Sequence, residues 1–191
     1  MINYKVRIMK PNKYFFPALF MMLTFNAIGC SKENNEENVT LKNQVNEQVN
    51  DNKTKAPDFN LVSTDGKKIN LSDYKGKIVI LDFWATWCGP CRMGVPDLVS
   101  IQKEFKDKVI VIGISLDDKR TMDDILPFMK EYGINYPVVY GTNQVVVDYG
   151  YIQAIPTTFI INARGFIVDQ YVGLVAKEKY VNRINSLMKE S

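Results

Sequence analysis

The sequence predicts an α/β fold with a central mixed β-sheet flanked by helices on both faces. Three observations carry this expectation. The runs Ile78-Val79-Ile80-Leu81 and Val109-Ile110-Val111-Ile112 are apolar without alternation, the pattern of strands covered on both sides. Segments with apolar residues at helical spacing follow each of them, and another closes the chain. Near the C-terminus, Thr158-Phe159-Ile160-Ile161 and Phe166-Ile167-Val168-Asp169-Gln170-Tyr171-Val172 flank a turn at Asn162-Ala163-Arg164-Gly165, so part of the sheet is an antiparallel hairpin.

In chain order, residues 1–13 are basic and residues 14–29 are mostly apolar and uncharged. That is the layout of a secretory signal, and it is short for a bilayer-spanning helix. The segment ends Ala27-Ile28-Gly29-Cys30, which resembles the lipobox of bacterial lipoproteins, where a small residue precedes a cysteine that receives lipid. Ala27 departs from the larger aliphatic residue usual there. An uncleaved anchor, or an ordinary signal beside an incidental cysteine, is the alternative. Each places the remaining chain outside the cytoplasm, on the periplasmic side of the cell envelope. Residues 30–56 are rich in Asn, Glu, Gln and Lys, offer little to bury, and read as a polar tether.

The folded domain is expected over 57–191. Residues 59–62 and 68–71 alternate as short strands around a Thr64-Asp65-Gly66 turn, an N-terminal strand extension. The buried strand 78–84 leads into a helix from Cys88 or Pro90 to about Phe105, kinked by Pro96. A second buried strand covers 109–114. Met122, Ile125, Met129 and Tyr132 mark a helix over 120–132, which Pro127 starts, shortens or kinks. Residues 137–140 form a short strand and 143–149 a short helix, and the extra material between the central strands makes a central insertion. After the hairpin, Tyr180, Val181, Ile184, Leu187 and Met188 mark an amphipathic helix over 177–189.

Composition excludes several functions. The chain has no histidine, which removes imidazole acid–base catalysis and histidine metal ligands. The four basic residues of 1–29 (Lys5, Arg7, Lys10 and Lys13) have no acidic counterpart there. The remaining 20 basic and 21 acidic residues give a net charge of −1. Nothing in that balance attracts nucleic acid. Of the three cysteines, Cys88 and Cys91 form a close pair and Cys30 stands apart. A zinc site built on Cys-x-x-Cys needs two more ligands that the chain does not supply, so no metal is expected.

Cys88 lies where a strand gives way to a helix. Unpaired N–H groups and the helix dipole favour an anion at that point, so its thiol is expected to be acidic, accessible and nucleophilic. Pro90 suits the first helical turn because it has no N–H to leave unpaired. Cys91, one turn on and more buried, is placed to attack a mixed disulfide at Cys88 and release the bound sulfur. The bland alternative is a static structural disulfide.

The stretch Phe83-Trp84-Ala85-Thr86-Trp87-Cys88-Gly89-Pro90-Cys91 resembles the active-site signature of thioredoxins. Residues 57–191 are similar to the membrane-anchored TlpA/ResA-type branch of that superfamily, through Ala56-Pro57-Asp58-Phe59, Leu71-Ser72-Asp73-Tyr74-Lys75-Gly76-Lys77 and Pro156-Thr157-Thr158-Phe159. The resemblance implies a thioredoxin-like fold, with Cys88 as nucleophile and Cys91 as resolving thiol. It makes Pro156 a cis-proline facing the disulfide, with Ile155 pairing to substrate backbone and Trp87, Gly89 and Pro90 at the rim. It makes Asp82 a buried carboxylate that exchanges a proton with Cys91; burial should raise its pKa. Thioredoxins often pair this aspartate with a lysine on the neighbouring strand, and 109–114 has none.

The same resemblance implies no cofactor beyond the dithiol, protein disulfides as substrates, a monomer, and an integral-membrane electron donor of the CcdA/DsbD type. Gly-Pro between the thiols and Ile155 before the proline are similar to reducing members. Cytochrome c maturation is one pathway of the branch, although Gly89 lies where those members often carry an acid. Two other functions stay open. A peroxiredoxin-like peroxidase requires Pro-x-x-x-Thr-x-x-Cys, where this chain has Leu81 and Ala85. A non-enzymatic peptide-binding module would use the groove beside Pro156 alone.

Overall fold

The computed structural model describes residues 54–190, so the signal segment, Cys30 and most of the tether lie outside the described residues. Two short strands, β1 (Asn60–Val62) and β2 (Lys68–Asn70), pair antiparallel as a hairpin. The main sheet has five strands: β3 (Ile78–Trp84), β4 (Val109–Ser115), β5 (Val138–Tyr140), β6 (Thr157–Ile161) and β7 (Ile167–Val172). Their order is β5-β4-β3-β6-β7. β3, β4 and β5 run parallel, and β6 and β7 are antiparallel to their neighbours. The helices are α1 (Gly89–Glu104), α2 (Ile125–Glu131), α3 (Asn143–Asp148) and α4 (Lys177–Lys189). This is the expected mixed sheet.

Alternation along β3 divides the core in two. Ile78, Ile80 and Trp84 pack with residues of α1, α2 and α4, among them Leu98, Ile101, Phe128 and Ile184. Val79, Leu81 and Phe83 face the other way, onto Leu61, Leu71, Val145 and Tyr149. Successive strand residues point to opposite faces, so only a strand covered twice reads as an unbroken apolar run. Three helices therefore share one face, while α3 and the β1–β2 hairpin cover the other. Every residue of β3 is buried. The chain's attachments begin early: Ile167 donates to the carbonyl of Thr54 at 2.8 Å and Ala56 to that of Gly165 at 2.9 Å.

The expectation for α2 changes. The helix expected over 120–132 begins as a 3-10 turn at Met122–Asp124 and is α-helical only over Ile125–Glu131. Pro127 sits in its first turn, where a missing N–H costs nothing. Met122, expected on the apolar face, is 39% exposed, and Phe128 is buried instead, its ring 5.0 Å from Trp84 and 4.2 Å from Tyr132. α1 runs as one helix from Gly89 through the exposed Pro96 to Glu104.

Candidate active site

β3 ends at Trp84, and Ala85, Thr86 and Trp87 carry the chain to Cys88, the N-cap of α1. Its backbone is extended (φ −81°, ψ 107°), and its sulfur accepts the N–H of Cys91 at 3.2 Å. A side-chain acceptor for an early helical N–H is the usual task of Ser or Asp at a helix start. Here sulfur performs it. A thiolate at that atom would keep the N–H donor and the positive end of the helix dipole, and both lower a thiol's pKa. Gly89 and Pro90 are the exposed first and second helical residues.

Cys88 and Cys91 are joined as a disulfide. The sequence predicts an accessible Cys88 above a buried Cys91. In the disulfide both are buried, 5% and 3% exposed, because the loop before β6 closes over them. The Ile155–Pro156 peptide is cis, and the Ile155 carbonyl oxygen lies 3.6 Å from Sγ of Cys88. A disulfide sulfur has no proton to give, so this is a contact. A thiol there would donate to the carbonyl, while a thiolate would be repelled by it. Two ties hold the loop: Thr157 Oγ1 donates to the Ala154 carbonyl at 2.7 Å, and Gly173 N–H to the Pro156 carbonyl at 2.8 Å. Trp87, beside the disulfide in sequence, is 61% exposed.

Asp82 lies on the α1 side of β3, between Gly113 of β4 and Thr158 of β6. It is buried, and loss of water pushes its pKa up to about 6, opposed by the hydrogen bond that Thr158 Oγ1 donates to Oδ1 at 2.9 Å. A cavity of about 10 Å³ is lined by Asp82, Cys91, Pro156, Thr158, Leu174 and Tyr180. That is space for about one water molecule. The aspartate and the second thiol thus border one small space.

Sequence reasoning missed two groups. Thr86 donates its N–H and its hydroxyl to the carboxylate of Asp117, at 3.0 and 2.6 Å, and Ser115 Oγ donates to the same carboxylate at 2.8 Å. Asp117 reads in sequence only as the end of a strand; its partner is 31 residues away. Thr158 and Tyr180 were equally silent, since a hydroxyl within an apolar strand or on the buried face of a helix looks like packing.

The AhpC/TSA family matches residues 53–170, more than half of the chain. The thiol-disulfide oxidoreductase ResA of Bacillus subtilis is 38% identical over 131 residues, which cover 68% of this chain and 72% of the relative. Among solved structures, a thiol:disulfide interchange protein of the thioredoxin family from Chlorobium tepidum superposes with a TM-score of 0.66 at 34% identity, covering 71% of this chain and 96% of that one. The exposed lipoprotein thioredoxin Etrx1 of Streptococcus pneumoniae gives a TM-score of 0.60 at 31% identity, covering 69% and 100%. The sheet order, the dithiol at the start of α1 and these likenesses agree: the chain belongs to the AhpC/TSA family and is a thiol–disulfide oxidoreductase of thioredoxin-like fold.

Proposed function

We propose that this oxidoreductase reduces disulfides in exported proteins, with Cys88 as the attacking sulfur and Cys91 as the resolving one. The observation that carries the assignment is the position of Cys88 Sγ, which accepts a helix N-terminal N–H at 3.2 Å. In the reduced protein the Cys88 thiolate attacks one sulfur of a substrate disulfide. A Cys88–substrate bond forms, and the other substrate sulfur leaves as a thiolate and takes a proton from water. Cys91 then passes its proton to the Asp82 carboxylate and attacks Cys88 Sγ. The Cys88–substrate bond breaks, the Cys88–Cys91 disulfide forms, and the second substrate sulfur leaves as a thiolate that is protonated in turn. Two electrons move from the dithiol to the substrate.

Substrate backbone would lie along Ile155 and Pro156, with Trp87, Gly89 and Pro90 forming the rim. Lipidation of Cys30 would hold the domain at the envelope, a reading supported by the sequence before Cys30 and by the lipoprotein description of the pneumococcal relative. A membrane donor of the CcdA/DsbD type would return the electrons to a monomeric domain. Cytochrome c maturation is one pathway that would use such a reductant.

The test is a redox titration of the Cys88–Cys91 couple with capture of partners on a Cys91→Ala chain. A potential near thioredoxin's, about −270 mV, with exported proteins held as mixed disulfides, supports the proposal. A potential near that of strong oxidants, about −120 mV, reverses the direction of electron flow. Cellular function that survives Cys88→Ser would favour a peptide-binding module.

A further inference from the structure

Asp82 lacks the cation that the resemblance leads one to expect. The residue opposite it on β4 is Gly113, where a Cβ would come within 2.8 Å of Trp84 Nε1, so that register position cannot carry a long side chain without displacing the indole. On the other side a chain of hydroxyls reaches the carboxylate. Tyr180 OH of α4 donates to Thr158 Oγ1 at 3.1 Å, and Thr158 Oγ1 donates to Asp82 Oδ1 at 2.9 Å. All three side chains are buried. The other carboxylate oxygen, Oδ2, accepts from no described residue.

With Asp82 ionised the polarity of this chain is forced, because a carboxylate only accepts. A threonine hydroxyl has one proton. Burial holds the Tyr180 phenol up at about 12, so it remains a donor at any ordinary pH. When Thr158 accepts from Tyr180, its own proton is directed to Asp82. We propose that Tyr180 and Thr158 are positioning residues: they hold Asp82 by Oδ1 as an accepting carboxylate and leave Oδ2 to take the proton of Cys91. This rests on Cys91 being the resolving thiol, and it names residues outside the dithiol that set when resolution can occur.

The other groups around Asp82 leave this role to the hydroxyls. Cys91 of α1 borders its cavity, and Tyr136, before β5, faces it as a buried phenol with a strongly raised pKa. Asp97 of α1 and Tyr171 of β7 act on Tyr180 rather than on Asp82, and both favour its protonated form. Lys179 sits over the Tyr171 ring. No cation among the described residues shifts Asp82.

The test uses the full chain carrying Cys30→Ser, so that its only thiols are Cys88 and Cys91. The reduced protein is mixed rapidly with an aromatic disulfide that releases a coloured thiolate. A first release reports attack by Cys88, and a second reports resolution by Cys91. Each phase is followed from pH 4.5 to 9. Thr158→Val should move the midpoint of the second phase up by about one pH unit relative to the first, slowing resolution roughly tenfold below it. Thr158→Ser should restore the midpoint, and Tyr180→Phe should move it in the same direction by less. Tyr180→Phe removes one oxygen and keeps the ring, so it carries the test if Thr158→Val does not fold. A second-phase midpoint that stays in place in both variants, or that drifts together with the first phase, overturns the proposal and leaves the dithiol assignment standing. Absence of a second phase in the Cys30→Ser parent overturns both.

Discussion

Thr86 gives both its backbone N–H and its hydroxyl to the carboxylate of Asp117, which fastens the approach to Cys88 onto the loop that follows β4. Ser115 Oγ donates to the same carboxylate, and Leu116 N–H donates to the Trp84 carbonyl at 2.7 Å, so the two loops are joined along their length. Thr86 is buried, so its donors have little water to turn to. Asp117→Ala would leave them without an acceptor at a cost of about 1–3 kcal/mol, while Asp117→Asn keeps one acceptor oxygen and should cost less. Urea unfolding measures the difference. On the role proposed for Cys88, the Ala variant should also slow its attack, because the loop that leads to it is no longer anchored. Equal midpoints for parent and Asp117→Ala would show that these bonds contribute nothing to stability.

Asp82 makes stability depend on pH in a stated direction. Its folded pKa, about 6, lies above the ordinary 3.8. The protonated acid is therefore the form the fold prefers. Its contribution is complete below about pH 4 and is lost as pH rises through 6. Asp82→Asn removes the cost of the buried charge, so it should stabilise the oxidised protein by about 2–3 kcal/mol at pH 8 and by almost nothing at pH 4. The same variant should slow resolution by Cys91. Thermal unfolding across that pH range checks the first statement, and a gain at pH 4 as large as that at pH 8 contradicts it.

The reduced dithiol supplies another pH-dependent observable. The N–H of Cys91 and the start of α1 favour a thiolate at Cys88, and the Ile155 carbonyl at 3.6 Å opposes it. The N–H donor lies nearer, at 3.2 Å, and acts together with the helix dipole, so the balance is a lowered pKa. Alkylation of reduced protein, followed residue by residue, should give Cys88 a midpoint at least one unit below the ~8.5 of an ordinary thiol. Cys91, buried and without such donors to its sulfur, should react later and at higher pH. A Cys88 that alkylates like a small-molecule thiol would remove the basis for its role as nucleophile.

How much of this was legible in the sequence follows from the range of each interaction. The strands β3 and β4 and the helix α4 declare themselves because burial on two faces, or on one stripe, writes a local pattern. The dithiol is legible for the same reason, as its chemistry depends on neighbours three residues apart. The true start of α2 was not, since Pro127 fits an early helical position and a mid-helix kink equally well in sequence. Asp117 and Thr86, or Tyr180 and Thr158, are polar pairs from distant segments, and nothing in a single sequence announces which hydroxyl will meet which carboxylate. The burial of Cys88 likewise depends on Ile155 and Pro156, brought over it by the loop before β6.

Gly113 offers the sharpest steric test of the sheet beneath the site. A methyl group at that position would meet Trp84 Nε1 at 2.8 Å, with Trp84 Cδ1 at 3.4 Å and Tyr136 Cε2 at 3.5 Å close behind. Trp84 is fully buried between β4 and Phe128, so the indole has no free direction in which to move. Gly113→Ala should therefore destabilise the protein by about 1–3 kcal/mol, the ordinary cost of overpacking a closed core, even though alanine suits a strand better than glycine. The shifted indole lies two residues along β3 from Asp82, so the midpoint of the Cys91 phase should move along with the loss of stability. Urea unfolding beside the two-phase kinetics separates the effects. An alanine variant as stable as the parent would mean that Trp84 gives way easily, and a lysine opposite Asp82 would then be sterically admissible.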